Sequence, residues 1–492
     1  MKRFFLLIIA ALGFVLSFQL ENSDAQTRTG IFRIATKPVA MLEGERTSPA
    51  SIQEAEIAFD AKSYSALDVD RLSIPLFDGK LHQATRVDLE NRGADDFTWR
   101  GKLKSGDVIL TFKRGYVAGL IYSDNDVYEI VPKGDKQILV KLDHSRFPEC
   151  GGEVRSDEKA IRAQPAGLGQ SIDSGDRVDV MVVYTTATKN VLGGDAQAQA
   201  HAQAAIDVAN TAYINSRIRM RVRLVHSQEF VYTESGNAST DLSNLRSNAG
   251  IQTLRNTHKA DLVAEISEVS GVCGIGYLIG PASGNPSNGF TVTARSCAVG
   301  NITLAHEMGH NMGSHHNPEN GGTAIYPYGY GHYVNGQYRT VMSYVDPCPN
   351  GCTRRPYFSN PAVSYLGFPT GIHDARDNAR LINNTADVIA NYQYSGRSLT
   401  LTSYNGGEFL PRYVLSILWP LTWNSSGLSG NVKIELSRDE GSTWETLIAD
   451  TTDDNSQHVT VTGRMTKRAR LRISSLDFPW VSDSSVTNIT LR

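Results

Sequence analysis

The sequence lacks a surplus of charge of either sign: 48 Lys+Arg stand against 51 Asp+Glu, for a net charge of −3. A protein built mainly to hold nucleic acid would carry a basic excess, so no nucleic-acid partner is expected. Gly-X-Y periodicity and heptad runs are missing, which excludes collagen-like chains and long coiled coils. No apolar run downstream of the first residues is long enough to span a bilayer, so no stable membrane anchor is expected. Cysteine is scarce and odd in number, five in 492 residues, so a thiol is left over when the others pair. What is there suffices for packed cores: 40% of residues are hydrophobic and 20% charged. At about 150 residues per domain the length suggests about three domains.

The chain opens with Lys2-Arg3, an apolar run from Phe4 to Phe18, and the small-x-small site Ser23-Asp24-Ala25. This pattern predicts a signal peptide over residues 1–25 and export to an extracellular or periplasmic space; a single N-terminal anchor is the alternative. Export places the cysteines in an oxidising compartment. Cys273, Cys297, Cys348 and Cys352 can form two disulfides in three connectivities, of which Cys273–Cys297 with Cys348–Cys352 is favoured. Cys150 stands alone upstream.

The pattern along the chain predicts an α+β multi-domain protein. Val108–Phe112, Val117–Tyr122 and Gln137–Val140 read as strands of a β-rich region. Ser156 to Gly175 is rich in Gly, Ser, Ala and charge and reads as an exposed linker, ending a unit over 26–175. From 176 to 395 helices and strands alternate. Strands are expected at Val178–Tyr184, Met220–Val225 and Asp261–Ile266, and helices at Ala196–Ser216, Ile251–Lys259 and Asn378–Tyr392. This predicts a mixed sheet covered by helices. From 396 to 492, alternating runs such as Val432, Ile434, Leu436 and Ala469, Leu471, Ile473 predict a β-sandwich. Its Trp419, Trp423 and Trp444 could bind a polymer, though such aromatics are more often core.

The segment that carries chemistry is His306-Glu307-Met308-Gly309-His310-Asn311-Met312-Gly313-Ser314-His315-His316. It fits H-E-x-x-H-x-x-G-x-x-H at every fixed position. Four residues apart on a helix, His306 and His310 can aim one nitrogen each at a single metal. Glu307 can reach a water on that metal. Gly313 permits the left-handed turn that ends the helix and brings back His316 as third ligand. Three imidazoles leave a fourth position open, as one catalytic zinc ion requires. His315 lies off the spacing and reads as solvated or supporting.

On these residues the sequence resembles the metzincin zinc endopeptidases, closest to bacterial reprolysin-like (adamalysin-like) members, over about Arg177 to Tyr392. The resemblance implies a twisted mixed sheet with a long active-site helix and a methionine turn at Thr340-Val341-Met342-Ser343-Tyr344, with Met342 as the floor of the site. It implies a catalytic role for Tyr344, which sits where some members carry a tyrosine that ligates zinc or stabilises the oxyanion, with an ordinary core tyrosine as the alternative. Cys273-Gly274-Ile275-Gly276-Tyr277-Leu278 is similar to the family's edge strand, on which substrate backbone pairs. Phe358-Ser359-Asn360-Pro361 resembles its C-terminal subdomain. Asn317 departs from the Asp usual among reprolysins.

Phe147-Pro148-Glu149-Cys150-Gly151-Gly152 resembles the propeptide cysteine switch of several metzincins. A thiolate is a good zinc ligand and would displace the reactive water. An intermolecular disulfide or an inert buried thiol are the alternatives. The expectation is therefore a secreted zinc endopeptidase with protein or peptide substrates. Its own prodomain acts as inhibitor, Glu307 is the catalytic base, and His306, His310 and His316, with Cys150 in the latent form, are the ligands. The rival is a secreted binding or adhesion protein with a vestigial site. A structural calcium ion is left open.

Overall fold

The computed structural model describes residues 31–42, 46–59, 69–155, 172–410 and 420–492. The signal segment, residues 156–171 of the expected linker, and Trp419 lie outside these residues. Upstream, a ten-stranded sheet runs from Phe32–Ile34 to Lys136–Leu142. Its strands are joined by tight turns such as Arg114-Gly115, where both residues have positive φ (52° and 82°). Such turns match the right-handed twist of the flanking strands. Alternation then separates two faces. Val108, Leu110 and Phe112 join the sheet's own apolar cluster, whereas Ile109, Ala118, Leu120 and Tyr122 pack toward the central block.

The central block is built from β1 (Glu153–Val154), β2 (Arg177–Thr185), α1 (Asp195–Asn215), β3 (Arg221–Phe230), β4 (Leu262–Ser267), β5 (Gly274–Tyr277), β6 (Phe290–Ala294), α2 (Thr303–Asn311) and α3 (Asn378–Ile389). Its sheet has the order β1-β5-β6-β4-β2-β3. β3, β2, β4 and β6 are parallel, and β5 runs antiparallel to β6. The two residues of β1 add to β5 in parallel, so the upstream region supplies the outermost strand. β2 is buried along its whole length, as expected of a strand covered on both faces.

α1 explains why its sequence is so rich in alanine. It lies between the central sheet and the inner face of the upstream sheet, and is buried nearly all round. Small side chains let both sheets approach the helix closely. Among its buried polar residues, Asp207 accepts hydrogen bonds from Arg92 (3.2 Å) and Thr111 (2.6 Å) of the upstream sheet.

Three expectations need correction. The helix α2, expected to be long, has nine residues, about two and a half turns, because left-handed residues bound it at Ile302 (φ 58°) and Gly313 (φ 101°). The stretch read as exposed linker is docked at its end: Asp173 is buried and accepts from Ser395 N and Oγ (both 2.7 Å), and Gly175 N donates to Asp387 (3.0 Å). His315 is not solvated but fully buried.

Residues 398–410 and 421–491 form a three-stranded and a six-stranded sheet around one apolar cluster. Trp423 is part of that cluster and donates to Asp453 (2.7 Å), so it is core. The Trp444 ring is covered by the Arg472 guanidinium, 4.2 Å from its centroid.

Candidate metal centre

α2 brings His306 and His310 one turn apart, and the chain reverses immediately after it. Gly313 N donates to His310 O and Ser314 N to Gly309 O (both 2.9 Å), the reciprocal pattern of a glycine-terminated helix. The reversal carries His316 Nε2 to 3.2 Å from His306 Nε2 and 3.1 Å from His310 Nε2. His306 Nδ1 lies 2.8 Å from Val341 O and His310 Nδ1 lies 2.9 Å from Ser314 O. These carbonyls assign the proton to Nδ1 and leave each Nε2 lone pair facing the common centre. Burial pushes His310 down to about 4, and His306 and His316 well below the ordinary imidazole range.

Three neutral nitrogens at this separation repel one another unless a cation lies between them. Cys150 Sγ completes the group, 3.8 Å from His310 Nε2, and the four candidate ligand atoms all lie within 4.8 Å of one another. A donor set of three imidazole nitrogens and one thiol sulfur suits zinc. The residues present fit such an ion.

The surroundings hold this arrangement. Met342 is fully buried, and its Sδ packs so close to Gly309 that a Cβ there would lie 2.5 Å away. The methionine turn thus supports α2 from below while its Val341 carbonyl orients His306. Asn317 ties the third histidine to the same turn, accepting from Tyr344 N (2.9 Å) and from Ser343 Oγ (3.3 Å). Tyr344 is half-buried, its ring 4.1 Å from that of His316, and its hydroxyl donates to Cys150 O (3.0 Å). Cys273–Cys297 and Cys348–Cys352 are disulfide-bonded, and Cys150 is the free cysteine. The first bridge fixes the start of β5.

Glu307 is fully buried directly under β5. Its Oε2 accepts from the Cys150 thiol (3.6 Å), and its Oε1 has no hydrogen-bond partner among the described residues. Burial pushes this carboxyl up to about 8. The glycines of β5 now have a reason: a Cβ on Gly274 would come 2.6 Å from Glu307 Oε1, and one on Gly276 would come 3.0 Å from Glu307 O.

The segment around Cys150 lies along β5 as an added strand. Cys273 N donates to Glu149 O (3.0 Å), Gly151 N to Gly274 O (2.7 Å), and Leu278 N to Val154 O (2.9 Å). Sequence reasoning missed the two acids flanking this cysteine. Glu153 sits 3.0 Å from His315 Nδ1 and 3.5 Å from His316 Nδ1. Glu149 accepts from Val345 N (2.9 Å) and faces Arg339. Their place within three residues of the cysteine was the available signal.

Comparison with known proteins adds to this geometry. Residues 174–359 match the family model of a reprolysin-type domain of metallo-peptidase family M12. The chain is 30% identical to a peptidyl-Asp metalloendopeptidase of Stenotrophomonas maltophilia, over 70% of this chain and 87% of that one. A protein of the same name from Xanthomonas campestris is 29% identical, over 76% of this chain and 93% of the relative.

Proposed function

Because the chain belongs to the reprolysin-like metallopeptidases of family M12, and is a metalloendopeptidase acting on proteins or peptides, we propose that it is a secreted zinc enzyme made as a latent zymogen. His306, His310 and His316 hold the ion, and residues 26–175 are the prodomain that delivers Cys150 to the fourth position. The observation that carries this reading is the convergence of the Cys150 thiol with three imidazole nitrogens on one point. The complete donor set weighs against a vestigial site in an adhesion protein.

When bound, zinc supplies a Lewis acid that polarises the scissile carbonyl and acidifies a water. Glu307, held in a dry site beneath β5, takes the proton from the attacking water at its carboxylate and passes it to the leaving amine. Gly274 and Gly276 leave room for substrate backbone to pair on β5 directly above it. The Tyr344 hydroxyl, which donates to the carbonyl oxygen of Cys150 in this structure, donates to the oxyanion once substrate replaces the prodomain. Latency has two parts: the thiol engages Glu307, and β1 occupies the strand position that substrate needs. Since the relatives are peptidyl-Asp metalloendopeptidases, cleavage beside an acidic residue belongs to this reading.

The test is Glu307→Ala in the full chain cleaved between residues 156 and 171. It retains one zinc by metal analysis and loses casein hydrolysis by at least about 100-fold, the usual scale of a removed general base. Wild-type turnover in that variant overturns the assignment of the base.

A further inference from the structure

We propose that Arg339, Arg354 and the Val345 amide form a carboxylate-binding subsite beside the scissile bond, which Glu149 of the prodomain fills in the uncleaved chain. The proposal rests on the zinc endopeptidase reading and names the specificity determinant of that site.

Arg339 and Arg354 are both nearly fully buried, 1% and 2% exposed. Their guanidinium groups converge on a single acceptor, the Ser343 carbonyl, at 2.7 Å from Arg339 Nη1 and 3.2 Å from Arg354 Nη2. Arg354 also donates to Asn301 O (3.0 Å), and the Nε of each arginine has no hydrogen-bond partner among the described residues. Two cations sharing one neutral oxygen inside a protein are an unbalanced charge, and buried charges are otherwise paired. Glu149 supplies the carboxylate that faces them. Its Oε1 accepts from Val345 N (2.9 Å), while Oε2 lies 4.0 Å from Arg339 Nη1 and has no hydrogen-bond partner of its own among the described residues.

The position of Glu149 is what makes this a substrate subsite. It is the neighbour in sequence of Cys150, whose side chain reaches the imidazole nitrogens, and its carbonyl is bonded to the start of the edge strand (Cys273 N, 3.0 Å). A substrate strand on β5 with its scissile carbonyl at the metal centre therefore presents an adjacent side chain to the place Glu149 holds. The chemistry that fits is a carboxylate: the Val345 amide N–H donates to it, and two buried guanidinium groups, the nearer 4.0 Å away, balance its charge. A neutral Asn or Ala leaves the arginines uncompensated. A Lys adds a third cation.

The test uses the full chain, zinc-loaded and activated by limited proteolysis between residues 156 and 171. Peptides carry Asp, Glu, Asn, Ala or Lys at each residue flanking the bond, and kcat/KM is measured. The wild type is expected to favour Asp over Asn at one flank by at least about 30-fold, and R339M to reduce that ratio to within a few-fold of unity. Because Arg339 also bonds the methionine turn, the ratio is the readout and not the rate. A second arm avoids any change to the enzyme. A peptide spanning Phe147–Arg155 inhibits the activated wild type, and the same peptide with Glu149→Gln inhibits at least about 10-fold more weakly. Peptidase activity with no acidic preference at either flank, an unchanged ratio in folded R339M, or equal inhibition by the two peptides overturns the subsite. Absence of peptidase activity altogether instead overturns the zinc endopeptidase reading on which it rests.

Discussion

The thiol of Cys150 donates to Oε2 of Glu307 across 3.6 Å, so the proposed base is engaged by the same side chain that reaches the imidazole nitrogens. Removing that thiol should separate the two parts of the proposed latency. Cys150→Ala is expected to raise peptidase activity of the uncleaved chain about 10-fold or more. It should still fall short of the cleaved enzyme, because Gly151 and Val154 keep their backbone bonds to β5. Activity of the variant equal to that of the uncleaved wild type would reject the thiol switch and leave strand occlusion as the sole block.

Gly274 tests the contact between edge strand and base. A Cβ at this position meets the Glu307 carboxylate (2.6 Å) in a packed interior, where overpacking typically costs about 1–3 kcal/mol. Gly274→Ala should therefore keep zinc and the fold, by metal analysis and circular dichroism, and lose at least about 10-fold in kcat. Full activity would mean that the strand and helix separate freely.

Glu129 predicts a pH dependence at the junction of the upstream sheet and the central block. It is buried beside Gly300 and Arg295, with Glu54 as a further carboxylate nearby, and burial pushes it up from 4.5 to about 8. Its protonated form is the one the folded chain favours. The stability it contributes is present below about pH 4.5 and lost as pH rises toward about 8. Glu129→Gln should raise the melting temperature of the full chain at pH 8 relative to wild type, and change it little at pH 4.5. Parallel melting curves for the two proteins across that range would show that the carboxyl titrates normally.

Chelation should act on stability as well as on activity. A ligand held only by the folded state stabilises it by RT ln(1+[L]/Kd), about 4 kcal/mol at a thousand-fold excess over Kd. Removing the metal with a chelator is expected to abolish proteolysis and lower the melting temperature of the activated protein by several degrees, both restored by zinc. Activity that survives exhaustive chelation would remove the metal from the mechanism.

Much of the site was legible because it is local. The spacing of His306, Glu307 and His310 is set by the helical repeat, and Gly313 supplies the reversal that returns His316, all within eleven residues. The Ala-rich run of α1 was legible as a helix, but not its burial on two sides, since that depends on a sheet folded from residues far upstream. The same distance hid the glycines of β5 as clearance for Glu307, although the glycines themselves were in view.

The chain by its order of residues alone determined the spacing of the candidate ligands, the turn that closes them and much of the succession of helices and strands, because backbone periodicity and glycine conformation act over a few neighbours. The tertiary structure decided what those elements meet: Met342 under Gly309, Glu129 at Gly300, and Glu149 before two arginines far downstream. Contacts of that kind arise from packing between segments remote in sequence, and one residue's identity carries no record of which remote partner the fold will bring to it.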